Sequence, residues 1–430
     1  MLKREVGVIG AMFMGLGSII GTGVFISIGI GAGVTGPAVI LAIVVAGMVA
    51  TFNGLSSAQL AANHPVSGGT YEYGYRWLRP SLGFTAGWLF LCAKSASAAT
   101  AALGFSGYVL HLLNLNQSQL LVPTAIGIVF VTTLLVLGGI RRSNWVNIVI
   151  VSITLLALGC FLITGLPVAI KNSSENLSPF FVPPAGHSQF AAFLEACALM
   201  FVAFTGYGRI ATLGEEVVEP RKAIPRAIIV TLVVSSLLYV AIGFVGVAAV
   251  GSEFMSAATI EKVAPLQMIA ANFGSPLVEK IVAIGAITAM LGVLLNLILG
   301  LSRVALAMGR RGDFPEIFGR INQAGTTPYV AVIAVGILIA GLALIGNVKT
   351  TWSFSAFTVL IYYALTNLSA IQLTDEERLY PKFIPWLGLI GCLSLAFWVE
   401  PRIWMIGLAL IAFGLVIHLV MSKQKKQTEK

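Results

Sequence analysis

The sequence predicts an all-α integral membrane protein with twelve transmembrane helices. Three observations lead to this fold class: the chain carries few charges, it contains twelve long apolar stretches, and glycines interrupt the first and the sixth of them. Of the 430 residues, 57% are hydrophobic and 10% are charged, whereas soluble globular chains carry about 25% charged residues. So few charges cannot cover a water-facing surface, and we therefore expect the lipid bilayer to surround the protein.

The twelve apolar stretches set the order of the predicted helices. A helix needs about 20 mostly apolar residues to cross a bilayer. The stretches that fit are residues 6–33, 37–62, 82–112, 121–140, 145–169, 190–213, 227–250, 277–306, 328–346, 352–372, 384–399 and 402–421. Between residues 251 and 274 the chain is less apolar and carries Glu253, Glu261 and Lys262, so we predict a loop with short helices there.

Lysines and arginines predict the orientation of these helices, because they are enriched in cytoplasmic loops. With the N-terminus in the cytoplasm, nineteen of the 26 basic residues fall on the inner side, five on the outer side, and Lys94 and Arg209 within the helices. We therefore expect both termini in the cytoplasm and a multi-pass location in the plasma (inner) membrane. The same bias explains the net charge of +9 without a nucleic-acid partner.

The stretch GLGSIIGTGVF, residues 15–25, interrupts the first predicted helix in its middle. A glycine costs about 1 kcal/mol per helix position relative to alanine. Non-helical backbone at membrane depth is tolerated only where it is buried in protein or lines a water-filled cavity. One interpretation is a broken helix beside a binding site, and the other is close helix packing through Gly17 and Gly21.

A second interruption favours the broken-helix interpretation. Thr205, Gly206 and Gly208 fall inside the sixth predicted helix, so that matching breaks stand five helices apart. Matched breaks are typical of transporters that are built from inverted repeats. The N–H groups at the start of a half-helix attract an anion, and exposed carbonyls attract a cation, so that one pocket can hold both ends of a zwitterion.

The two breaks also divide the chain. We predict a single transporter domain, in which residues 6–169 form a first repeat of five helices. Residues 190–372 then form a second, inverted repeat. Residues 384–421 form two peripheral helices, and residues 422–430 form a basic cytoplasmic tail.

Four segments of the chain resemble signatures of the amino acid–polyamine–organocation (APC) transporters. They are GSIIGTGVF (17–25), PVSGGTYEYGYRWLRPSLGFTAGW (65–88), FTGYGRIATLGEEVVEPRKAIPRAI (204–228) and SRVALAMGRRGDFP (302–315). The resemblance, which extends over nearly the whole chain, implies a LeuT-type fold in which helices 1–5 and 6–10 are the inverted repeats. It also implies a secondary active permease that moves amino acids by alternating access.

The resemblance further implies substrate-binding residues in both breaks. In the family, N–H groups of the first break bind the substrate carboxylate, and carbonyls of both breaks bind its ammonium. The matching positions are Gly21, Thr22 and Gly23 for the carboxylate, Ile19, Thr22, Val202 and Thr205 for the ammonium, and the adjoining Gly206. Relatives often carry a bulky aromatic gate where this chain has Val202, so its pocket is either roomier or gated by Phe204.

Ionisable groups inside the predicted helices are functional candidates by default. Arg209 lies a few residues before Glu215 and Glu216, and we expect a structural or gating ion pair among them. Lys94 has no acidic partner nearby in the sequence. Because burial disfavours the charged form of such an ammonium, Lys94 either exchanges protons during transport or donates to backbone carbonyls at a helix break.

The resemblance leaves the coupling ion open. Many family members carry a lysine in the fifth helix whose ammonium occupies a sodium-like site, and Thr154 stands at that position here. Either Lys94 takes over that role and couples transport to protons, or Thr154 and neighbouring hydroxyls leave room for Na⁺. We expect no other cofactor and no bound metal.

The expected substrate is a neutral, zwitterionic L-amino acid. A buried cationic side chain needs a carboxylate partner, and neither break carries an acid, since Gly208 follows Tyr207. Cationic amino acids and polyamines therefore fit less well. The chain also lacks the H-E-x-x-H and G-x-S-x-G motifs of enzymes, so we expect no enzymatic activity. An exchanger, an exporter, and a sensor or channel with a transporter fold remain alternatives.

Overall fold

A computed structural model describes residues 7–66, 68–115, 117–139, 144–211, 217–322 and 327–428. Within these ranges the chain is all-helical and has no β-strand. The α-helices of these ranges are α1 (Val8–Ile19), α2 (Ile28–Thr35), α3 (Val39–Asn63), α4 (Thr70–Trp77), α5 (Pro80–Leu112), α6 (Gln117–Leu137), α7 (Asn144–Asn176), α8 (Gln189–Phe204), α9 (Gly208–Ala211), α10 (Pro220–Val250), α11 (Ser252–Ile260), α12 (Pro265–Ala271), α13 (Pro276–Arg311), α14 (Tyr329–Ala343), α15 (Val348–Ile371), α16 (Phe383–Ala396) and α17 (Pro401–Thr428).

Nine helical stretches of the described chain are long and apolar enough to cross a membrane. The first, Val8–Asn63, extends over 56 residues and includes α1, α2 and α3. Two further apolar helices, α14 and α16, are shorter. These helices make the chain an integral membrane protein, whereas the number of twelve membrane crossings stays a prediction.

The helix α5 lies at the centre of the molecule. In its most apolar window 83% of the residues are buried, against 22% for α6 and 17% for α17. The main neighbours of α5 are α13 and α15. Large apolar side chains of the outer helices, such as Ile163 and Leu237, are exposed and form the surface that we expect to contact lipid.

Both glycine-rich stretches are interrupted helices in the structure. The helix α1 ends at Ile19, and the chain resumes as a π-helical turn over Gly23–Ser27 that runs into α2. The helix α8 ends at Phe204 and is followed by a 3₁₀ turn over Thr205–Tyr207 and by the short α9. The less apolar region between 251 and 274 contains the short helices α11 and α12, as predicted.

Candidate functional site

The first break turns the chain at Ile20, whose backbone is extended (φ −77°, ψ 95°). The Gly21 carbonyl then accepts hydrogen bonds from the N–H groups of Val24 and Phe25, at 3.1 Å each, and these bonds start the next helical segment. The hydroxyl of Thr22 is buried and has no hydrogen-bond partner among the described residues. Because buried polar atoms are nearly always paired, this hydroxyl is available to a ligand.

The second break holds the hydroxyl of Thr205 at the end of α8. This hydroxyl donates to the Val202 carbonyl (2.8 Å), a side-chain bond of the kind that competes with regular helix. Gly206 lies against the first break, because a Cβ atom added there would collide with the carbonyl group of Ser18. Glycine at position 206 therefore allows the two interrupted helices to touch.

Two tyrosines hold backbone carbonyls of the breaks. The Tyr239 hydroxyl on α10 lies 2.7 Å from the Ile19 carbonyl and 3.3 Å from the Ala203 carbonyl. The Tyr363 hydroxyl on α15 donates to the Thr205 carbonyl (3.1 Å). The carbonyls at helix ends lack intrahelical hydrogen-bond donors, and these two hydroxyls act as donors to them. Tyr239 in addition links one break to the other.

A cavity of about 500 Å³ lies between the two breaks and the helices α5, α13 and α15. Its walls include eight of the predicted site residues, namely Ile19, Thr22, Gly23, Lys94, Val202, Thr205, Gly206 and Arg209. Sites for small molecules measure about 300–1,000 Å³. The cavity is therefore large enough for a small organic ligand that touches both breaks.

The residues that line the cavity range from buried to exposed. Among the buried ones, Trp352 donates from its indole N–H to the Leu199 carbonyl (2.9 Å). From there the wall follows α13 from Val293 to the exposed Arg303 and Arg310. Access to the two breaks therefore runs from the end of the molecule at which α13 terminates.

Lys94 of α5 places an ammonium group in the wall of the cavity. The residue is 8% exposed, and its Nζ donates to the Thr205 Oγ1 at 2.7 Å. Within the described part of the chain, no carboxylate lies within ion-pair distance of this ammonium. A buried charge without an opposite charge is costly, so the charge of Lys94 is poorly compensated by the described residues.

Two of the predicted substrate-binding residues are not among the described residues that line the cavity. Gly21 packs against Val293 of α13, whose Cγ2 would lie 2.5 Å from an added Cβ. Phe204 is fully buried, and the centre of its ring lies 5.1 Å from that of Tyr239. Both residues thus pack between helices in this structure, while their neighbours in sequence face the cavity.

The predicted coupling and gating residues are dispersed. Lys94 and Arg209 line the cavity. Thr154 of α7 is buried, its hydroxyl donates to the Ile150 carbonyl (2.8 Å), and it is not among the described residues of the wall. Glu215 lies outside the described residues, as does the neighbouring Glu216. The ion pair expected between them and the arginine stays a prediction.

Several residues of the wall were not predicted from the sequence. They include Ser18, Phe90, Ser97, Asn296, Trp352 and Tyr363. Asn296 could have been predicted, since a single amide side chain within the apolar run VLLNLILG is unusual at membrane depth. Ser97 stands one helical turn after Lys94 and shares its helix face. Trp352 and Tyr363 gave no local signal, because their backbone partners are 153 and 158 residues away in the chain.

A second polar cluster surrounds Asp313, just after the end of α13. Asp313 is 6% exposed and accepts hydrogen bonds from the hydroxyls of Tyr71 and Tyr75 on α4, at 2.7 Å each. Burial, together with this carboxylate, raises the pKa of both tyrosines. Arg311 pairs with Glu72 (2.5 Å), and its guanidinium lies 4.1 Å from the centre of the Tyr75 ring. The cluster ties α4 to the end of α13.

Comparison with known proteins gives matches over the whole chain. A sequence model of the family described as "Amino acid permease" matches residues 10–429. The chain is 35% identical to an uncharacterized transporter of Mycobacterium tuberculosis (strain ATCC 25618 / H37Rv), over 100% of this chain and 94% of the relative. It is 29% identical to a branched-chain amino acid permease of Bacillus subtilis (strain 168), over 98% and 94%. It is 28% identical to cationic amino acid transporter 4 of Mus musculus, over 89% and 61%.

Proposed function

This chain belongs to the amino acid permease family, a family of transporters, and on that premise we propose that it is a secondary active transporter of neutral, zwitterionic L-amino acids. One observation carries the proposal. Two interrupted helices meet at a cavity of about 500 Å³ that is buried at its deep end and open at the other. This arrangement offers backbone groups of both polarities to one small ligand.

The substrate backbone fits between the two breaks. We place its carboxylate at residues 21–23, where a helical segment starts and N–H groups favour an anion, and where the unpaired Thr22 hydroxyl adds a donor. Its ammonium then meets the carbonyls of Ile19 and Thr205. These carbonyls already accept bonds from tyrosine hydroxyls, but each carbonyl oxygen has two lone pairs and can accept a second donor.

The wall favours a neutral substrate side chain. Phe90, Val202 and Trp352 supply apolar surface, and no carboxylate belongs to the described residues that line the cavity. A cationic side chain would therefore lack an opposite charge. One relative is named for branched-chain amino acids, which are neutral, and another for cationic amino acids, so the charge of the substrate is the property to measure first.

We further propose the LeuT-type arrangement of twelve membrane helices. The stretch from α1 to α3 would cross the membrane twice, and eight other long stretches and the shorter α14 and α16 once each. With cytoplasmic termini in a plasma membrane, the open end of the cavity at Arg303 and Arg310 faces the cytoplasm. The structure then corresponds to the inward-open state of an alternating-access cycle.

Protons are the coupling ion that we propose. Lys94 is buried, it is bonded to Thr205 of the second break, and no carboxylate of the described chain pairs with it. Because burial disfavours a charged ammonium, a change of access can load or release its proton. Na⁺ coupling near Thr154 and obligate exchange are the competing schemes.

Purified protein in proteoliposomes tests the transport function. We expect uptake of labelled leucine, inhibition by other neutral L-amino acids, and accumulation when a proton gradient is imposed. Accumulation with a Na⁺ gradient would replace the proton scheme. Flux that needs an amino acid inside the vesicles would identify an exchanger. Binding without flux would identify a sensor, and the absence of both for every amino acid would reject the proposal.

Cysteine labelling tests the topology. The cysteines of the chain are Cys92, Cys160, Cys197 and Cys392, and they are first replaced by serine or alanine. On intact cells, a membrane-impermeant maleimide should label Ser174→Cys, at an exposed position near the end of α7. It should label Gln424→Cys only after the membrane is permeabilised. Equal labelling of both variants before permeabilisation would contradict the twelve-helix topology.

A further inference from the structure

The ammonium of Lys94 extends from α5 to the second break, where few polar groups of the described chain balance its charge. It has three N–H donors, and Thr205 Oγ1 is the partner that the structure records for it. Ser97, one turn later on the same helix, is already paired with Ser355 of α15 (2.7 Å). The positive charge of Lys94 therefore acts on whatever occupies the cavity beside the breaks.

The remaining charges of the cavity have the same sign. Besides Lys94, the described lining includes Arg209, Arg303 and Arg310, and it includes no aspartate or glutamate. Arg303 and Arg310 are exposed at the open end, where water and salt screen their charges. Arg209 has an interaction partner of its own. Lys94 is the buried cation among them, so its charge is the least screened.

We propose that Lys94, in its protonated form, determines the charge selectivity of the site: it rejects amino acids with cationic side chains and admits those with neutral or anionic side chains. The proposal rests on the proposed transport function and adds a specificity-determining residue to it. Two like charges about 7 Å apart, at an effective dielectric constant near 20, repel each other enough to lower affinity by roughly 50-fold. A side-chain carboxylate at that distance is attracted to a comparable degree.

Pairs of similar amino acids test the proposal on the unmodified protein. Lysine and norleucine share a four-carbon stem and differ in the terminal ammonium, and glutamate and glutamine are nearly isosteric. We expect lysine to inhibit the uptake of labelled leucine at least about tenfold more weakly than norleucine. Glutamate should inhibit more strongly than glutamine, because its side-chain carboxylate is attracted to the ammonium of Lys94. Equal inhibition by lysine and norleucine would overturn the proposal.

Three variants then assign the selectivity to residue 94. Lys94→Met keeps nearly the length of the side chain and removes the charge, and it should lower the norleucine preference over lysine by about tenfold or more. Lys94→Glu should reverse the charge preference, so that lysine inhibits better than glutamate. Lys280→Met, the same exchange at an exposed position near the far end of α13, should keep the parent ratios. Parent ratios in both Lys94 variants would overturn the proposal.

Failure of this proposal and failure of the transport function give different results. If the parent neither binds nor transports any neutral amino acid, the transport function fails and the selectivity with it. If the parent transports leucine but its ratios do not depend on residue 94, the selectivity alone fails. If a Lys94 variant loses flux, binding of the same four amino acids to the purified variant gives the ratios. If neither Lys94 variant folds, equal inhibition of the parent by lysine and norleucine still overturns the proposal.

Discussion

Lys94 and Asp313 are buried to the same degree but differ in how their charges are compensated. Lys94 is 8% exposed and Asp313 is 6% exposed. Asp313 accepts two short hydrogen bonds from tyrosine hydroxyls, and the Nδ1 of His418 on α17 lies 3.4 Å away. Lys94 has one recorded bond, to a neutral hydroxyl. Asp313 therefore uses its charge to join helices. The charge of Lys94 is left to interact with a ligand or a proton.

The difference has an energetic reason. A buried charge with good hydrogen bonds can contribute to stability, whereas a buried charge that lacks an opposite charge costs free energy. The bonds of Asp313 join α4 to the end of α13, so its charge is used within the fold. Lys94 forms no comparable set of bonds that would stabilise the fold. We therefore infer that changing Asp313 affects stability, and that changing Lys94 affects transport.

The largest expected effect is on the pH dependence of flux in Lys94→Met. One coupled proton changes flux by up to about tenfold per unit of external pH, and we expect this dependence in the parent. The variant should still insert and bind substrate, but its flux should be nearly independent of pH. Its melting temperature should not fall, because an apolar side chain replaces an uncompensated charge. A pH profile equal to that of the parent would remove Lys94 from the coupling scheme.

The next effect is a loss of stability in Asp313→Asn. Replacing the carboxylate by a neutral amide weakens the charge-assisted bonds from Tyr71 and Tyr75, and we expect a loss of about 2 kcal/mol. Flux should keep its pH profile. Asp375→Asn is the matched control, because the side chain of Asp375 is 90% exposed and its loss should cost under about 0.5 kcal/mol. Thermal unfolding in detergent measures both variants. An unchanged melting temperature, or a lost pH profile, would break the comparison.

A smaller effect is expected in Tyr239→Phe, which keeps the ring and removes the hydroxyl between the two breaks. The hydroxyl contacts the Ile19 and Ala203 carbonyls, and one net hydrogen bond is worth about 1 kcal/mol. We expect apparent substrate affinity to weaken by about fivefold and the pH profile of flux to persist. Tyr329→Phe, at the exposed first residue of α14, is the control. Unchanged affinity would show that the hydroxyl does not position the breaks for substrate.

The positions of both breaks could be predicted from the sequence because their signals are local. Glycines at positions 21, 23 and 206 interrupt apolar stretches, and the hydroxyl of Thr205 bonds the Val202 carbonyl three residues before it. Lys94 could be singled out because a lysine is rare within an apolar stretch. The spacing of the two interruptions, five predicted helices apart, indicated that they form a pair. Family resemblance then supplied the substrate-binding roles of their residues, which the spacing alone does not give.

The contacts within the site could not be predicted, because they join distant parts of the chain. Lys94 and Thr205 are 111 residues apart, and Tyr71 and Asp313 are 242 residues apart. Phe204 illustrates a different limit. Its closeness to Val202 in the sequence suggests a gate, but residues two positions apart on a helix do not share a face. In the structure Val202 lines the cavity and Phe204 packs against α10.

His64, directly after α3, is a third titratable group and is partly buried, and its hydrogen bond forms only while its ring is neutral. Its Nδ1 lies 2.7 Å from Nη1 of Arg76, and because an arginine only donates, this nitrogen accepts and the ring is neutral. Burial, followed by the charges of Arg76 and Arg311, lowers the pKa of His64 below its ordinary value of 6.5. Protonation would break the bond and set two cations against each other.

The smallest expected effect is therefore a pH dependence of stability. The unfolded chain binds a proton at His64 near pH 6.5, while the folded protein does so at lower pH. The contribution of His64 is therefore fully present above about pH 6.5 and is lost as the pH falls toward the folded pKa. His64→Phe keeps an aromatic ring against Trp77, which lies 5.9 Å away, and cannot titrate. Melting temperatures between about pH 7.5 and 5.5 should fall more steeply for the parent than for the variant, and parallel curves would show that the proton uptake of His64 does not change on unfolding.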